Sequence, residues 1–157
     1  MTLLKSEMDL LRSVPIFAGI EPSRLKLIAF TADSIAYRAG QALVRQGQPG
    51  DAAYVLVAGK AEVSVETESG DYVVATLGPG DVVGEISILC DSPRTATVTA
   101  STDVSALRVR KDSFLQLLRQ FPEIAAEVMR SLAERLTHTN EELVRARNLA
   151  ASRDGDA

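Results

Sequence analysis

Ala61-Glu62-Val63-Ser64-Val65-Glu66 is the stretch on which the fold turns. Small or apolar residues alternate with polar ones, so one face of the segment is buried and the other wet. A period of two predicts a β-strand. The same rhythm returns over residues 95–100 and 104–109. Other short strands are expected over residues 52–58 and 72–77. Turn signals separate them at Gly40, Gln46 to Asp51, Gly59, Ser69-Gly70-Asp71 and Gly78-Pro79-Gly80-Asp81. Strands broken by turns about every 8–12 residues predict an antiparallel barrel or sandwich. Residues 34–110 therefore read as one β unit.

On both sides the period lengthens. Residues 1–33 read as helical, with Leu3, Leu4, Met8, Leu11 and Arg12 at helical spacing before Pro15. An apolar linker follows over residues 14–20. A second helix begins near Pro22-Ser23 and carries Leu25, Leu27, Ile28 and Phe30. Past the β unit, residues 111–120 predict a short helix and Pro122 opens a longer one. Its apolar stripe is Ile124, Val128, Leu132, Leu136 and Leu143, with Thr139 interposed. If it continues to Arg147 it is about 39 Å long. These two helices (111–150) are expected to act as hinge and lid, and residues 151–157 are expected to form a disordered tail. The fold class is α+β: a small antiparallel β roll (a double-stranded β-helix or jelly roll) flanked by N-terminal and C-terminal helices.

Composition limits the chemistry. With 157 residues, 46% hydrophobic and 24% charged, the chain can bury a core without disulfides or metals. Aromatics are only 4% and Trp is absent, so that core must be aliphatic. A net charge of -4 argues against generic nucleic-acid binding. No apolar run approaches the roughly 20 residues that span a bilayer. Glu7 and Asp9 stand where a signal peptide would be basic and apolar. One Cys, Cys90, excludes an internal disulfide and suits a reducing cytoplasm, so a cytoplasmic location is expected. One His, His138, has no second His or Cys, so no metal site is expected. The same count disfavours a cupin-like enzyme and every Ser/His/Asp or Cys/His arrangement.

One segment interrupts the strands. It runs Gly84-Glu85-Ile86-Ser87-Ile88-Leu89-Cys90-Asp91-Ser92-Pro93-Arg94-Thr95-Ala96-Thr97-Val98. A helical turn after Gly84 would point free backbone N–H groups outward, an arrangement that binds anions. Gly84 permits close approach of a ligand. Arg94 offers a planar fork matched to phosphate oxygens, and Thr95 adds a hydroxyl. Glu85 is acceptor-only, so it suits a ligand hydroxyl such as a ribose 2′-OH. A phosphate beside a hydroxyl describes a nucleotide. The plain alternative is a loop-closing Glu85–Arg94 ion pair with no ligand.

Residues 84–98 resemble the phosphate-binding cassette of cyclic nucleotide-binding domains, the family of the bacterial catabolite activator protein, the regulatory subunits of cAMP-dependent kinase and cyclic nucleotide-gated channels. Gly84-Glu85-Ile86-Ser87 and Arg94-Thr95-Ala96 fill its pattern. Leu11 to Gly19, Gly40, Gln46-Gly47, Gly50-Asp51, Tyr54 and Gly59 resemble its other markers, so the likeness covers roughly residues 10–145. The resemblance implies cAMP or cGMP as ligand and no metal. It implies that Arg94, Thr95, Ala96, Ser87 and Ile86 surround the cyclic phosphate, and that Glu85 and Gly84 meet the ribose. It places Val63 and Val74 against the base. Thr139 and Asn140 fall where the catabolite activator protein reads adenine with a Thr-Ser pair. Thr95 matches a threonine of cGMP-responsive channels; the reading nevertheless favours cAMP.

The expected function is a sensor that binds a cyclic nucleotide without turning it over. No helix-turn-helix, kinase-inhibitor segment or channel span is recognisable, so direct DNA binding and membrane insertion are not expected and the effector protein is unknown. Leu132, Leu136, Thr139, Leu143 and Ala146 could form a homodimer seam. Two other readings stand beside this one: an interaction module that keeps the roll without a nucleotide, and a truncated transcription regulator that acts by heterodimerisation.

Overall fold

The computed structural model describes residues 8, 9, 11–14, 17 and 19–155, the last three as backbone only. The expected helical positions Leu3 and Leu4, the linker residues Pro15, Ile16 and Ala18, and tail residues 156–157 lie outside the described residues.

The elements are α1 (Pro22–Thr31), β1 (Ala32–Tyr37), β2 (Ala42–Val44), β3 (Ala52–Ala58), β4 (Ala61–Thr67), β5 (Gly70–Leu77), β6 (Val82–Val83), α2 (Glu85–Leu89), β7 (Thr97–Ala100), β8 (Val104–Arg110), α3 (Lys111–Gln120) and α4 (Pro122–Gly155). The strands form two four-stranded antiparallel sheets, ordered β1-β8-β3-β6 and β2-β7-β4-β5. This is the α+β roll with flanking helices that the alternation predicts.

The period of two explains where the core sits. On β3, Ala53 and Val55 face the helices, joining Leu25, Ile28, Leu107, Phe114, Leu117, Phe121, Ile124 and Val128. Its other set, Ala52, Tyr54 and Leu56, fills the roll with Leu43, Val44, Leu77, Val83, Val98 and Ala106. A strand buried on both faces must read as a continuous apolar run, and β3 does. Burying each large aliphatic side chain here contributes roughly 1.5–3 kcal/mol.

Two strands behave differently from their neighbours. β4 keeps Ala61 buried and Glu62 exposed, but a bulge between Val63 and Ser64 leaves Val63 only half-buried. β5 is exposed from Gly70 to Thr76 because it is the sheet's edge and pairs with β4 alone. Its Tyr72, Val73 and Val74 stand more than half exposed.

Several boundaries moved. β1 begins at Ala32, two residues before the expected 34, because Ala32 already pairs with Val109. The expectation of a disordered tail from 151 is corrected: α4 continues to Gly155. No Pro or Gly interrupts the chain between Pro122 and Gly155, and Ala150-Ala151 is a strong helix-forming pair. At 34 residues the helix is about 51 Å long. Every described side chain from Leu136 to Ser152 is exposed, so this half of α4 lies free of the roll. Among the described residues no helix is long and apolar enough to cross a membrane.

Candidate functional site

The site forms where β6 ends and the chain cannot continue as a strand. Gly84 adopts φ 85°, a left-handed conformation that favours glycine, and caps the five-residue helix α2. A Cβ at this position would collide with the Arg94 guanidinium and stand 3.1 Å from the Ala52 carbonyl oxygen. Glycine is therefore what lets the arginine reach inward. Gly50 serves in the same way: a Cβ there would strike the Ser87 side chain. After α2 the chain reverses through Asp91, at φ 50°. Its return is pinned by main-chain bonds from Arg94 N to Gln48 O (2.8 Å) and from Gly47 N to Arg94 O (2.9 Å).

Arg94 is 5% exposed. Its Nη1 donates to Gly84 O at 3.0 Å and Ser87 Oγ at 2.9 Å, and its Nη2 donates to Ala52 O at 2.6 Å. These neutral acceptors fix the side chain. Two carboxylates bear on its charge among the described residues: Asp51, 3.6 Å away and 86% exposed, and the buried Glu85, which feels the guanidinium through space. A buried cation held by carbonyls needs an anion.

Glu85 lies on the next turn of the cavity and is 2% exposed. It forms no salt bridge with Arg94, so the alternative of a loop-closing Glu85–Arg94 ion pair is not what the structure shows. Arg135, from α4, donates from Nη1 to Glu85 Oε1 and from Nη2 to Val82 O, both at 2.7 Å. Burial pushes the Glu85 carboxyl above its usual range, while the Arg135 guanidinium pulls it the other way. On the rim, Lys111 Nζ donates to Asp91 Oδ1 at 2.9 Å, which holds that carboxyl below its usual range. This contact links the cassette to the start of α3.

These groups enclose a cavity of about 90 Å³. Gly84, Glu85, Ile86, Ser87, Arg94, Thr95, Ala96 and Val63 all line it. Val74 does not; it lines an adjoining groove of about 470 Å³ between β4, β5 and α4. Thr139 and Asn140 lie away from both. The Thr139 hydroxyl donates to Arg135 O at 2.9 Å, and Asn140 shares the outer helix surface with Thr137 and Val144. The structure therefore does not bring these two side chains into the cavity or the groove; the last α4 residue that lines the groove is His138.

Arg135 was not expected from the sequence. The signal was present: it continues the inward stripe Ile124, Val128 and Leu132, where a cation can sit only against a buried acceptor. Among the described residues no cluster of His, Cys, Asp or Glu could hold a metal ion.

Residues 34–121 match the family described as the cyclic nucleotide-binding domain. The chain belongs to that family. As a cyclic nucleotide-binding domain it is 31% identical over 136 residues to a CRP-like cAMP-activated global transcriptional regulator of Mycobacterium tuberculosis, covering 86% of this chain and 61% of the regulator. It is 38% identical over 114 residues to a cAMP-dependent protein kinase regulatory subunit of Aspergillus fumigatus, covering 73% of this chain and 27% of that subunit. Among solved structures it is similar to the Thermus thermophilus catabolite activator protein, with TM-score 0.72 and 31% identity over 82% of this chain and 61% of that one. The domain thus spans about three-fifths of each bacterial relative and about a quarter of the kinase subunit.

Proposed function

We propose that this domain is a regulatory sensor that binds cAMP in preference to cGMP and does not turn it over. The observation that carries this reading is the pair of buried charges in one cavity: Arg94, hydrogen-bonded only to neutral acceptors, and Glu85, an acceptor with nothing to donate. An anion beside a hydroxyl satisfies both. In this reading Arg94 binds the cyclic phosphate, with Ser87 fixing the guanidinium and Ile86, Thr95 and Ala96 forming the rest of the wall. Glu85 accepts the ribose 2′-OH, and Gly84 lets the sugar approach. Val63 lies under the base and Val74 at the groove's outer edge. The preference for cAMP is supported by relatives whose names tie them to that nucleotide.

Output passes through α4, which carries one end of the site at Arg135 and an unsupported half beyond it. Met129, Leu132, Leu136, Thr139, Leu143 and Ala146 recur at the 3.5-residue spacing of a two-helix seam. A second copy of this chain is the occupant we assign to that seam. The reading includes no DNA contact by this domain itself.

Isothermal titration of wild type and Arg94→Ala with cAMP and cGMP tests the ligand. Wild type should bind cAMP more tightly than cGMP. Arg94→Ala should lose on the order of 2–5 kcal/mol, the usual consequence of truncating one partner of a buried charge pair. No binding heat from wild type at millimolar nucleotide would sink the proposal and favour an interaction module.

A further inference from the structure

β7 begins at Thr97, where the chain re-enters the sheet from the cassette, and pairs with β4 from Ala100↔Ala61 to Thr97↔Ser64. Two further steps in the same register would set Thr95 opposite Glu66. That pairing is not made. The Glu66 main chain is held instead by a side chain: its N–H donates to Gln46 Oε1 at 2.8 Å, and its carbonyl accepts from Gln46 Nε2 at 3.4 Å. A carboxamide carries an acceptor and a donor side by side, so it offers the two bonds that a facing strand residue would. Its reach depends on the gap. In the order β2-β7-β4-β5, the loop after β2 and the end of β4 lie on opposite sides of β7. Each step across a sheet is about 4.8 Å. Gln46 crosses because β7 stops short. Its own end is fixed on the near side: Gln46 N donates to Thr97 Oγ1 at 3.0 Å, and Gly47 N donates to Arg94 O at 2.9 Å. Among the described residues the N–H groups of Thr95 and Ala96 have no hydrogen-bond partner, and both residues line the Arg94 cavity.

From this geometry we infer that Gln46 is a positioning residue for the ligand: its carboxamide stands in for the missing strand rung at Glu66, which ends β7 at Thr97 and keeps the Thr95 N–H free for the phosphate. The inference rests on the cyclic-nucleotide reading above and concerns how that same site is kept open. Without the carboxamide, Glu66 would carry an unpaired N–H and carbonyl at the end of β4. The main chain next in register is that of Thr95. β7 would then zip two residues further and draw the Thr95 N–H into the sheet. A ligand would have to break that rung to bind. The apparent affinity falls by the fraction of molecules in which Thr95 is free. The fold itself loses little, because one pair of hydrogen bonds replaces another.

The test compares wild type with Gln46→Met, which keeps the length of the side chain and removes the amide. Three quantities are measured: cAMP affinity by isothermal titration, Tm without ligand, and hydrogen exchange of the Thr95 amide by nuclear magnetic resonance. Gln46→Met should bind cAMP about ten-fold more weakly, the weight of one hydrogen bond to a charged group. Its Tm without ligand should match that of wild type. Its Thr95 amide, which exchanges freely in ligand-free wild type, should become protected. Gln46→Asn keeps the amide but is one methylene short of Glu66, and should behave as Gln46→Met does. If Gln46→Met does not fold, Gln46→Asn decides by the same readouts. A Gln46 that only fastens the β4–β5 hairpin would lower Tm on removal and leave both the affinity and Thr95 exchange unchanged. That pattern overturns the proposal, and so does wild-type affinity or a freely exchanging Thr95 amide in a folded variant. Failure of the sensor reading looks different: wild type would not bind, or Arg94→Ala would bind equally well.

Discussion

Glu85 concentrates the site's conflict in one side chain. It is a carboxylate removed from water, and its partner Arg135 is only partly buried. Burial outweighs the attraction, so its pKa in the folded protein lies above the ordinary Glu value of 4.5. The sign of the linkage follows. As pH falls from neutral, the folded chain takes up this proton before the unfolded chain does. Stability contributed by the protonated group is fully present below the ordinary value and is lost as pH rises through the raised one. Glu85→Gln removes the group. The melting temperature of wild type should therefore gain on that of Glu85→Gln as pH is lowered from neutral toward 4.5. Thermal melts of both proteins across that range check this; parallel profiles would show that burial does not dominate at Glu85. Asp91 works in the opposite direction, since Lys111 holds its carboxyl low, but it stands in open solvent where such a pair counts for little.

Among the elements, α4 has two characters. Up to Leu132 its inward face is core, with Ile124 1% and Val128 3% exposed. From Leu136 on every described side chain is exposed, including Leu136 (62%), Leu143 (53%) and Leu149 (64%). A helix of this length with no tertiary support is marginal in water, because most helical stability comes from packing an apolar face. A second copy would supply that packing. Leu136→Glu with Leu143→Glu places acids in the seam and leaves the roll untouched. Wild type should sediment as a dimer and the double variant as a monomer with lower helical content by circular dichroism. A monomeric wild type would remove the seam from the account. The cassette was legible in the sequence for a local reason: Gly84, Glu85, Arg94 and Thr95 fall within a dozen residues, so their spacing carries the geometry. Arg135 was not, because its contact with Glu85 joins positions 50 apart in the chain. The exposure of β5 was equally hidden, since the apolar run Tyr72, Val73 and Val74 marks a strand but not its place at the edge of the sheet. Thr139 and Asn140 lie outside the cavity and the groove for the same reason in reverse: a helix stripe does not say where the helix leaves its domain.

At the scale of the whole molecule, two cores share β3 and β8, and the cassette closes one of them. One core fills the roll; the other fastens α1, α3 and α4 to its outside. Arg94 ties the cassette to the first residue of β3 through Ala52 O, and Asp51 O next to it accepts from Lys111 N at the start of α3. Arg94 is thus one residue removed from the joint between β3 and α3. A ligand that binds only the folded chain must stabilise the whole of this cooperative unit by mass action. At a cAMP concentration one hundred times the Kd, the gain is about 2.7 kcal/mol. For a domain of this size each kcal/mol raises Tm by roughly 2–4 °C, so a shift on the order of 5–10 °C is expected. Arg94→Ala at the same nucleotide concentration should show little or none of it. Arg135→Ala should melt lower than wild type without ligand, since it leaves the buried Glu85 carboxylate without its donor. Equal gains in wild type and Arg94→Ala would mean that cAMP stabilises the fold from somewhere other than this cavity.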